Sequence, residues 1–187
     1  TDNEHNRDTL RSLQNDELPA LWLCKPGMAI RWGDYEEFEL DSSRELDWLG
    51  HFAKKSTRLD RIGIYGYDTF GNCSGHSVER FFHDLGKCNH MKEMHFLGAN
   101  LAEFIGKLGG AMTNNNFTHI MVEACHLGVP EATLLFKTFR DMNSLENLYI
   151  DCENDLANLN DGDMAGCIPS LAACMGMRSL TLNHLNL

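Results

Sequence analysis

The feature that most limits what this chain can fold into is an apolar spacing that returns six times. Its clearest copy is Phe117–Leu127, with apolar residues at positions 1, 4, 6 and 11 and Cys125 at position 9. Successive side chains of a strand point to opposite faces, so positions 4 and 6 share one face of a short strand. Position 1 turns inward ahead of the strand, and positions 9 and 11 turn back beneath it. A solitary strand has no use for this arrangement, whereas a unit that stacks on copies of itself does. The spacing also opens at Leu18, Leu59, Met91, Leu145 and Met177, so the six starts are 41, 32, 26, 28 and 32 residues apart. The predicted strands run near 18–24, 59–65, 91–97, 117–123, 145–151 and 177–183.

Between the strands the apolar period becomes that of a helix. Leu10 and Leu13 mark a first helix, for which Asp8 is the expected cap. Leu46, Leu49 and Phe52 mark a second over Glu45–Lys55, after Ser43. Val78, Phe81, Phe82 and Leu85 mark a third from Ser77, and Phe104, Ile105, Leu108 and Met112 a fourth that Asn114–Asn116 ends. Pro130 and Glu131 suit the first turn of a fifth, carrying Leu134, Leu135 and Phe139. Ile168, Leu171 and Met175 mark a sixth. Pro19 and Pro26 put the first strand at or near an end of its sheet. Residues 29–42 do not fit the repeat. Trp32, Tyr35 and Phe38, with Asp34, Glu36, Glu37 and Glu39, make an inserted loop. Its aromatic residues either pack back on the domain or form a binding loop.

This pattern resembles the leucine-rich-repeat family and, within it, the ribonuclease-inhibitor-like class, which uses LxxLxLxx(N/C)xL followed by a full helix. The best matches are Phe117–Leu127, with Cys125 at the Asn/Cys position, and Met91–Leu101, with Ala99 there. Ile, Met and Phe often stand in for Leu. The resemblance covers about residues 8–187 and implies an α/β solenoid, with a curved parallel sheet inside and helices outside. It implies a single domain over 1–187, of about six repeats. Elementary physics points the same way. Each strand–helix unit has one apolar side that it cannot bury alone, and stacking joins those sides into one core. Strands pack ~4.8 Å apart and helices about 10 Å, so a stack of such units bends. The pattern stops on a strand, so an exposed edge open to edge-to-edge self-association is expected there. The chain therefore reads as a fragment of a longer array.

On such strands the residues flanking positions 4 and 6 form three columns on the inner face. The first holds Arg61, Glu93, His119 and Asn147; the second Trp22, His95, Met121 and Tyr149; the third Tyr65, Glu123 and Asp151. The large amphipathic groups among them are of the kind that dominates contact energies. Glu93, Glu123 and Asp151 suit a partner protein with a basic surface. The alternative is a plain solvated strand face, and the residues alone leave both readings open.

Charge narrows the partners. There are 16 Lys+Arg against 27 Asp+Glu, a formal net charge of −11, which disfavours nucleic acid and anionic membrane. No apolar run approaches the ~18 residues of a membrane span. Seven cysteines, an odd number with no CxxC, read as reduced thiols in a cytoplasmic or nuclear setting. Cys73, His76, His83, Cys88, His90 and His95 crowd one region but lack the paired spacing of a zinc site. In Cys125–His126, adjacent residues rarely present both groups to one substrate and position 9 normally turns inward, so a structural cysteine is expected. No phosphate loop or calcium loop is present. No cofactor or metal is expected, and the chain reads as a non-catalytic interaction scaffold rather than an enzyme. The resemblance also allows a GTPase-activating repeat protein, with Arg61 as the basic inner-face candidate, or a fragment of a ubiquitin-ligase substrate receptor.

Overall fold

The computed structural model describes residues 3–28, 36–114, 116–126, 129–151 and 177–183. Among them one all-parallel sheet runs in the order β2-β1-β3-β4-β5-β6-β7. Its strands are β1 (Ala20–Cys24), β2 (Glu36–Glu39), β3 (Arg61–Tyr65), β4 (Glu93–Leu97), β5 (His119–Glu123), β6 (Asn147–Asp151) and β7 (Ser179–Asn183). The helices are α1 (Glu4–Gln14), α2 (Ser43–Ala53), α3 (Gly75–Leu85), α4 (Ile105–Asn114) and α5 (Val129–Arg140). No described helix is long and apolar enough to cross a membrane.

The strands pair without slippage. Leu21, Ile62, Met94, Ile120, Leu148 and Leu180 lie opposite one another in one row, as the spacing predicts. Leu23, Ile64, Phe96, Val122 and Ile150 form the next row on the same face. From Leu21 to Leu148 and from Leu23 to Ile150 no member is more than 2% exposed, whereas Leu180 is 44% exposed. Both rows meet the apolar faces of α2, α3, α4 and α5 in one core. Within it the Phe82 and Phe96 rings stack on Phe104 at 5.6 and 6.0 Å, and Phe70 meets Phe104 edge-on at 5.2 Å. Burying one such side chain contributes about 2–3 kcal/mol before entropy is charged.

Several local expectations need correction. Residues 29–42 are not wholly an inserted loop: Glu36–Glu39 is strand β2, parallel to β1, and Phe38 is fully buried opposite Leu23. A four-residue strand with one apolar side chain among three glutamates carries too little periodicity to be seen. Trp32 and Tyr35 lie outside the described residues, as do Ile168, Leu171 and Met175. Helix α1 starts at Glu4 and is capped by Asn3, not Asp8. Helix α3 is capped by Ser74, so it begins two residues before Ser77. On α5 Leu134 is 38% exposed, and Ala132 and Phe136 join Leu135 and Phe139 in the core.

The outer edge of β2 is closed by α1. The Asn6 side-chain amide donates to the Glu39 carbonyl at 2.7 Å, and its oxygen accepts from the Glu39 amide at 3.0 Å. The Thr9 hydroxyl donates to the Glu37 carbonyl at 3.4 Å. Asn6 and Thr9 are buried, so they supply what a further strand would otherwise supply. Beyond the helix, Asp16 takes a left-handed conformation (φ 58°), and the Glu17 amide bonds back to the Ser12 carbonyl at 2.9 Å. The Asp16 carboxylate accepts hydrogen bonds from the Ser56 and Thr57 hydroxyls, which ties this corner to the turn before β3 and holds its pKa well below the carboxylate range. Replacing Asn6 by alanine leaves the amide and carbonyl of the half-buried Glu39 without these partners. We expect a loss of about 2 kcal/mol in urea unfolding, with the m-value unchanged.

Candidate functional site

The helices cover one face of the sheet, and the opposite face carries the three columns of side chains. Strand register sets Arg61 beside Glu93, Glu93 beside His119, and His119 beside Asn147. It likewise sets His95 beside Met121 and Met121 beside Tyr149. Tyr65, Glu123 and Asp151 fall in the third row. The sequence reading missed Glu37 and Glu39, which extend these rows onto β2 opposite Trp22 and Cys24. They belong to the strand that left no apolar signal.

The face divides into two halves. On β1 and β3 it is closed. Trp22 is only 2% exposed and packs with Cys24, Leu97, Met28 and Tyr65. The indole lies across Gly63, where any Cβ would overlap it, and meets the His95 ring edge-on at 5.9 Å. Trp22 is therefore a packing residue, not the exposed contact residue expected. The cause is its neighbour: glycine leaves a gap on the sheet that only a large side chain fills. The Cys24 thiol is fully buried and donates to the Phe38 carbonyl at 3.7 Å. Burial pushes its pKa up to about 12, so it stays un-ionised at neutral pH.

Towards β5, β6 and β7 the face opens into a depression of about 360 Å³. His119 is exposed there, and Met121 and Tyr149 are half-buried. From the border of this half on β3 and β4 across to β6, side chains are linked both between strands and along them. The Arg61 Nε donates to Glu93 Oε2 at 2.6 Å, and His95 Nε2 lies 3.5 Å from the same oxygen. The Asn147 amide nitrogen donates to His119 Nε2 at 2.8 Å, and His119 Nδ1 pairs with the Thr118 hydroxyl at 2.8 Å. The Tyr149 hydroxyl donates to Asp151 Oδ2 at 2.9 Å. These are links that set side-chain positions, not a nucleophile aligned with a base. Glu123 is half-buried on β5, whereas the Glu93 carboxylate is already held by Arg61.

The thiols and imidazoles are spread apart. Cys88 is buried, with its Sγ near the Ser56 and Leu59 carbonyls, and burial raises its pKa. Cys73 packs against the core, and burial pushes its pKa up to about 11. His76, His83 and His90 are exposed, whereas His95 lies on the strand face. Among the described residues no three His, Cys, Asp or Glu side chains are grouped to hold a metal. Cys125 is buried and donates to the Glu123 carbonyl at 3.3 Å, while His126 is exposed with its ring 6.4 Å from Tyr67. The two neighbours thus face different surroundings. No protein-family profile matches this chain, and no curated protein matches it.

Two outcomes follow from this geometry. Gly63→Ala forces the indole aside and is expected to cost about 1–3 kcal/mol, a penalty that shrinks in a Trp22→Leu background. Thermal melts of the four proteins in this cycle measure it. The His95 pKa is lowered chiefly by burial; Glu93 opposes that shift, while Arg61 and His119 add to it. The unfolded chain therefore binds this proton first. Stability is unaffected above about pH 6.5 and falls as pH drops from there through the lower folded value. Urea midpoints measured across that window are expected to lose this slope in His95→Gln.

Proposed function

We propose that the chain is a leucine-rich-repeat solenoid, of the ribonuclease-inhibitor-like kind, that binds another protein through the strand face opposite its helices. One observation carries the reading. Five consecutive strand-to-strand steps keep an unbroken register, so one open face presents ordered rows of side chains to a partner. The half over β5–β7 is the working part, because β1 and β3 are closed by Trp22. Met121 and Tyr149 supply apolar contact, and Glu123 and Asp151 favour a partner with a basic surface. Cys24, Cys73, Cys88 and Cys125 carry no disulfide, which fits a reducing cytoplasmic or nuclear setting. The exposed Leu180 supports edge-to-edge association at β7 as a secondary contact.

A GTPase-activating role is less well supported. Its candidate Arg61 is tied to Glu93, with a side chain only 29% exposed, so it is poorly placed to reach a partner's nucleotide. The substrate-receptor reading needs no chemistry and is one form of the proposed scaffold. Selection from a displayed protein library provides the test. Binders enriched on the native chain are expected to weaken at least ~10-fold on Met121→Ala/Tyr149→Ala and to survive Lys137→Ala on α5. Equal binding to the strand-face variant would sink the reading.

A further inference from the structure

A second surface lies on the helical side. A groove of about 350 Å³ runs between α1 and α2. Its floor is apolar: Leu10 on α1 faces Trp48 and Phe52 on α2, and all three are only partly buried. Its α1 rim carries Arg7 and Arg11, both exposed. A third guanidinium, that of Arg44, lies 4.6 Å from the Trp48 ring centroid. The chain's net charge is −11, yet among the described residues the groove is lined by two arginines and no carboxylate, while Arg44 lies in the adjoining pocket with Glu39, Asp41 and Glu45.

We propose that the α1–α2 groove binds a short acidic segment of a partner protein carrying an aliphatic or aromatic anchor. The anchor lies on Leu10, Trp48 and Phe52, and the partner's carboxylates meet Arg7 and Arg11. The charges select the sign of that partner, because guanidinium pairs with carboxylate and repels ammonium. The existing competition is weak: Arg11 pairs with Asp8 at 3.1 Å, but both side chains are more than 60% exposed. From Arg7 to Gln14 the rim spans two helical turns, roughly 10 Å, which suits a helical segment with anchors at i and i+4. This site is separate from the strand face, and neither proposal depends on the other.

The test uses fluorescein-labelled peptides of roughly ten residues, with Leu or Phe at i and i+4 between glutamates. Controls replace Glu by Lys, or the anchors by Ala. Fluorescence anisotropy with the full chain is expected to show binding of the Glu peptides alone, weakening several-fold as ionic strength rises from about 0.05 to 0.2 M. Arg7→Glu/Arg11→Glu is expected to lose at least ~10-fold in affinity. Arg7→Gln/Arg11→Gln serves if the charge reversal does not fold. Met121→Ala/Tyr149→Ala is expected to bind as the native chain does. Failure of every Glu peptide to bind would overturn the proposal. So would equal binding of the Lys or anchor-free peptides, or binding unaffected by the arginine substitutions. Sedimentation showing that the groove instead mediates self-association, lost in the same arginine variants, would overturn it too.

Discussion

Everything else in the structure depends on parallel pairing that never slips by a residue. A slip of one would send an entire strand's apolar side chains to the wrong face. With the register kept, Ile62, Met94, Ile120 and Leu148 line up beneath the helices. The hydrogen bonds of the sheet and the burial of the core then favour the same arrangement. Neither is sufficient alone, since net hydrogen-bond energies are near 1 kcal/mol each and one strand–helix unit buries too little apolar surface.

The same register makes the strand face a property of several strands at once. Trp22 and His95 meet across the gap left by Gly63, joining β1 to β4 over β3. Arg61 and Glu93 join β3 to β4, and His119 and Asn147 join β5 to β6. The half-exposed pair of Arg61 and Glu93 adds on the order of 1 kcal/mol at most. Its larger consequence is positional: it holds two long side chains in place and removes much of Glu93's availability to another charge.

Helix α1 shows how one short element serves two surfaces. Its buried side presents Asn6, Thr9 and Leu13, of which the first two satisfy the backbone of the edge strand. The other side presents Arg7, Leu10 and Arg11 along the groove shared with α2. The helical period makes this division available, because residues three or four apart share a face. A buried asparagine is costly unless its amide is paired, and here both ends of that amide meet one residue of β2.

Spacing alone determined six of the strands, the row of apolar side chains they share, and most of the helices. It could do so because each repeat places several apolar residues at fixed offsets, and burial demands that whole set together. Isolated decisions were not legible. Strand β2 has one buried side chain, Phe38, among three glutamates and does not carry the repeat's spacing, so only its pairing with β1 reveals it. The division of the strand face into a closed and an open half turned on Trp22 meeting Gly63, 41 residues apart. The sequence shows a large residue and an absent one, and only the fold decides that the first fills the space of the second.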